Sequence, residues 1–157
     1  MSLTFGLKTP HDLLEKARRE LVALESAAMI QDETEIADAL YNFAVTTYHL
    51  KDWLKCHSSS SYAPRDVEDY VAHSWALSAC RDLCNAGKHF DLTYQPTTEA
   101  VVASTTTMRA DLLPEGSPNT PIYRVKVVRN DGSRHEAVAL AAQAVSDWER
   151  FFELHKV

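Results

Sequence analysis

The stretch IADALYNFAVTTYHLKDWL, residues 36–54, decides the fold. Ile36, Leu40, Phe43, Thr47, Leu50 and Leu54 recur every three or four positions, which places them on one side of a helix as in a packed helical seam. Just upstream, Asp32 followed by Glu35 has the form of a capping box, so a helix is expected from about residue 32 to 56.

Before it, Thr9 can accept backbone N–H bonds as a cap, Pro10 suits a first helical position, and Asp12 complements the helix dipole. Leu14, Ala17, Leu21, Leu24 and Ala28 then keep helical spacing, which predicts a first helix over about 10–30. After it, His57 and four consecutive serines, Ser58 to Ser61, read as a polar loop leading to Pro64. From there Asp66, Glu68 and Asp69 occupy a first turn, and Tyr70, Leu77, Cys80 and Cys84 trace a buried stripe over about 64–87. Gly87 is a natural terminator. If it ends the helix, Lys88, His89 and Phe90 lie beyond it; an unbroken helix would keep them on it.

Past Pro96 the composition changes. Val101, Val102 and Thr105 to Thr107 favour strand, and Pro114, Gly116, Pro118 and Pro121 interrupt regular structure. Tyr123, Val125 and Val127 alternate with Arg124 and Lys126, and Asn130-Asp131-Gly132-Ser133 supplies turn chemistry before residues 134–138. That pattern predicts a hairpin within a β region of about 93–138. Leu140, Ala144, Val145, Trp148, Phe151 and Phe152 then define an amphipathic helix over about 139–155. The expected fold is α+β, mostly α: an antiparallel bundle of three helices plus a C-terminal fourth, with a small antiparallel sheet, in one domain spanning 1–157.

Composition bounds function. With 45% hydrophobic and 24% charged residues in 157, the chain can bury a substantial core. Its formal charge of -6 argues against coating nucleic acid by global electrostatics, though a local basic site is compatible with it. No run approaches the roughly 20 apolar residues of a membrane helix, and residues 1–8 lack a secretion pattern, so a cytoplasmic location with no membrane partner is expected. Cys56, Cys80 and Cys84 are then expected to be reduced thiols, the last two at one-turn packing distance. No paired Cys or His spacing suggests a metal site, and no nucleotide-binding loop or serine-hydrolase elbow is present; no cofactor is expected.

Two polar groupings fall on the helices. His49 and Asp52 share a face with Asn42, where Asp52 could fix an imidazole tautomer or form an ordinary surface pair. Ser74, Ser78, Arg81 and Asn85 form a stripe that Lys88 or His89 continues, a set able to bind phosphate and supply a proton-transferring imidazole. The same residues also suit a plain structural role, because a terminal Lys and His complement the dipole.

Tyr48-His49-Leu50-Lys51-Asp52-Trp53 followed by Arg81-Asp82-Leu83-Cys84-Asn85-Ala86-Gly87-Lys88-His89-Phe90 resembles the HEPN-like helical bundles of small bacterial and phage proteins. The resemblance covers roughly the first 90 residues. It implies a homodimer around an RNA cleft and metal-independent endoribonuclease or toxin activity, with Arg81 and His89 catalytic and Asn85 and Lys88 binding phosphate. His49 and Asp52 would be secondary binding candidates. Seven residues separate Arg81 from His89, one more than the family's spacing, and Asp82 is acidic where the family has a polar residue. Two other readings stand beside it: a non-catalytic module binding RNA, a nucleotide or a protein, and a structural or assembly protein without an active site.

Overall fold

A computed structural model describes residues 5–57, 61–88, 103–104, 125–129 and 131–157. The described elements are α1 (Pro10–Ile30), α2 (Glu33–Cys56), α3 (Pro64–His73), α4 (Trp75–Lys88), β1 (Ala103–Ser104), β2 (Val125–Val128), β3 (Arg134–Glu136) and α5 (Ala137–His155). The architecture is the expected one: a mostly helical bundle with a small antiparallel sheet.

The helix starts follow their local chemistry. Thr9 caps α1 in a reciprocal box with Asp12, whose carboxylate accepts from the Lys8 and Thr9 N–H groups, each at 2.8 Å. Asp32 caps α2 by accepting from the Thr34 and Glu35 N–H groups. Between them Gln31 takes a left-handed conformation (φ 65°) that turns the chain back within two residues, so α1 and α2 pack side by side.

The segment expected as one helix over 64–87 is two. Ser74 leaves helical geometry (φ -86°, ψ 121°), closing α3, and its hydroxyl accepts from the Leu77 N–H at 3.1 Å, opening α4. A serine that satisfies an exposed N–H locally competes with helix continuation, which explains the break.

Seam residues Ile36, Leu40, Phe43, Thr47, Leu50 and Leu54 are all buried, and α2 contacts α1, α3, α4, α5 and β2. From α5, Trp148 and Phe151 enter this core fully, and the Trp148 indole donates to the Thr47 carbonyl at 3.0 Å. Strand order is β1-β2-β3, all antiparallel, with Lys126 opposite Glu136 and Val127 opposite His135. Val125 and Val127 face the bundle as their alternation predicts, and Gly132 (φ 83°) supplies the left-handed turn residue. Helix α5 begins at Ala137, two residues before the expected start, directly from β3. His89, Phe90, Arg124 and the strand-favouring residues Val101, Val102 and Thr105 to Thr107 lie outside the described residues.

Candidate functional site

The break at Ser74 sets the start of α4, and α4 then runs through Gly87 to Lys88. Gly87 is therefore a helical residue rather than the terminator, and Lys88 lies on the helix. Arg81, Asn85 and Lys88 consequently stand at i, i+4 and i+7 of one helical face. His89, the expected catalytic partner, lies outside the described residues.

Arg81 is half-buried. Its Nε and one terminal nitrogen both donate to Asp82 Oδ1 at 2.9 Å, and the Asp82 side chain is only 1% exposed. The acidic residue that departs from the family pattern is thus a buried acceptor holding the guanidinium. On the same helix Leu77, Cys80 and Cys84 are buried, and burial pushes the Cys80 thiol far above its usual range.

The rest of the stripe is used structurally. Ser78 is buried and donates to the Trp75 carbonyl at 3.1 Å. Besides capping α4, Ser74 donates to Asp147 Oδ2 at 2.5 Å, Gln143 donates to Asp147 Oδ1 at 2.8 Å, and the Tyr70 hydroxyl donates to the Asp147 carbonyl at 2.6 Å. These groups border a cleft of about 260 Å³ beside Trp75, whose ring stacks on His135 with centroids 4.0 Å apart. This junction of α3, α4, α5 and β3 was not anticipated; Ser74 three residues before Leu77 was its only local signal.

The second grouping is not assembled as a pair. His49 is exposed, and no hydrogen bond among the described residues joins it to Asp52. Asp52 instead accepts from Lys51 at 3.0 Å and lies 3.9 Å from Lys55, while Glu68 of α3 reaches Lys51 and Lys55 at 3.5 and 2.5 Å. Lys51 is nearly buried and lies 4.6 Å from the Tyr48 ring centroid. Burial opposes its charge, but the Asp52 hydrogen bond and the surrounding charges outweigh it and raise the Lys51 pKa. Asp52 also lines a cleft of about 440 Å³ with Lys8, Trp53, Cys56 and His57.

Among the described residues no three His, Cys, Asp or Glu side chains gather as a metal-ligand set, and no helix is long and apolar enough to cross a membrane. What the α4 face offers is a guanidinium oriented by Asp82 and, one turn on, the Asn85 amide, donors of a kind that suit an oxyanion. The fold and this face define a helical bundle with polar residues along one face of α4. Compared with known proteins, the chain matches no family model, no curated protein and no solved structure.

Proposed function

We propose that the chain is a HEPN-like, RNA-directed protein that acts through the C-terminal face of α4 and cleaves RNA without a metal. The observation that supports this reading is the continuity of α4 through Lys88, which aligns Arg81, Asn85 and Lys88 and brings the chain to His89 one residue later. Arg81 would stabilise charge on the phosphate as the ribose 2′-hydroxyl attacks and the 5′-oxygen leaves, while the His89 imidazole would carry the proton. Asn85 and Lys88 would hold the neighbouring phosphate. A homodimer in the cytoplasm, with two such faces on one cleft, belongs to the same proposal.

The Arg81–Asp82 bond favours a second reading, binding without turnover, because part of the guanidinium is already engaged by a buried carboxylate. Incubating a mixed RNA pool in EDTA with wild type, His89→Ala and Arg81→Lys separates the two. Arg81→Lys is preferred to Arg81→Ala because removing the cation leaves buried Asp82 short of a partner, at a cost of about 2 kcal/mol. Cleavage lost in both variants, with wild-type circular dichroism, supports the nuclease. Retained RNA binding by a wild type that never cleaves supports the binding module.

A further inference from the structure

One surface lies apart from the α4 face. A groove of about 410 Å³ runs between the C-terminal half of α1 and the N-terminal half of α2. Its walls are mixed: Ala23, Ala27 and Ile30 on α1 and Ala39 on α2 form an apolar strip, bordered by Ser26 and Asn42 and by the carboxylates of Glu20, Glu35 and Asp38. No Lys or Arg lines it. Lys16, one turn before Glu20, is paired with it at 2.5 Å, whereas neither Glu35 nor Asp38 makes an ion pair with a described residue. Ile30 is 65% exposed, and on the same helix Met29 and Val22 are 84% and 60% exposed. Ile30, a large aliphatic side chain left in water in the groove itself, is the unusual feature, and the three alanines beside it let another helix approach closely.

We infer that this groove docks an amphipathic helix of a partner protein, with an apolar stripe seated against Ala23, Ala27 and Ala39 and flanking Lys or Arg side chains meeting Glu35 and Asp38. Charge selects the occupant. The Glu35 and Asp38 carboxylates repel a phosphate backbone, so RNA is disfavoured here, and a second copy would present the same carboxylates to them. The groove extends from Glu20 to Ile30, about 15 Å of helix, which accommodates roughly three turns of the partner.

The test uses the whole protein and two stapled helical peptides with the same Leu stripe at i, i+3, i+4 and i+7, one flanked by Lys and the other by Glu. Backbone amide shifts on titration locate binding. The Lys peptide is expected to perturb the two groove-lining segments; Glu35→Lys with Asp38→Lys should weaken it about ten-fold and admit the Glu peptide. Ala23→Tyr, at an exposed position, should block the groove without disturbing the core. Equal binding of both peptides, perturbation elsewhere, or no perturbation by the Lys peptide overturns the inference. So does a wild-type dimer that Ile30→Glu dissociates, since the groove would then belong to a second copy.

Discussion

Thr47 occupies a seam position that is fully buried, yet among the described residues its hydroxyl has no hydrogen-bond partner. Its backbone carbonyl, not its side chain, accepts from Trp148. Burying an unpaired hydroxyl costs free energy that a methyl group of the same shape does not. Thr47→Val is therefore expected to stabilise the protein by about 1 kcal/mol, read as a higher urea midpoint at unchanged slope. The thiols differ in the opposite sense. Cys56 is exposed, whereas Cys80 and Cys84 are buried and the Cys80 thiolate is disfavoured by burial. A disulfide reagent should modify Cys56 in the native protein and reach the other two only when urea unfolds it; prompt labelling of all three would mean that α4 opens readily.

Among the elements, the α3–α4 junction depends on one side chain. Ser74→Ala removes the cap on Leu77 and the bond to Asp147 together, and should cost about 1.5 kcal/mol, with Ser74→Thr recovering most of it in the same denaturation assay. The α2–α3 contact is electrostatic and carries a pH signature. The hydrogen bond from Lys55, helped by the Lys51 charge and opposed by burial, holds the Glu68 carboxyl below its usual range. A carboxylate whose folded pKa is depressed adds stability above its unfolded value, about 4.3, and loses it as pH falls through the folded one. The stability gap between wild type and Glu68→Gln should thus be constant near neutrality and close in acid. Glu68 is 46% exposed, so the gap will be small and should shrink with salt. A gap that persists at low pH would contradict this account.

Across the molecule, what could be read from the residues divides by range. Periodicity located α1, α2 and α5 because each buries one stripe, and the hairpin because Val125 and Val127 alternate with polar neighbours before the turn at Gly132. Apolar spacing could not reveal the break at Ser74, since Tyr70 and Leu77 keep helical phase across it; the serine's bond to Asp147 spans 73 residues. The polar face on α4 was legible as a stripe, but Asp82's role was not, because an acidic residue next to an arginine reads as a surface pair until its burial is known. The same separation of scales bears on RNA. A chain of charge -6 cannot attach to RNA through its overall field, so under the proposed function binding at α4 would depend on few cations, Arg81 and Lys88 of each copy that engages the RNA. For single strands, each phosphate contact contributes about -0.7 to the slope of log affinity against log salt, so two contacts give about -1.4 per engaged protomer. Lys88→Ala should make that slope shallower by about 0.7 while leaving the fold intact. Filter binding of a labelled RNA over a salt series measures both values; a slope steeper than about -4 would place the contact on a broader basic surface than the α4 face provides.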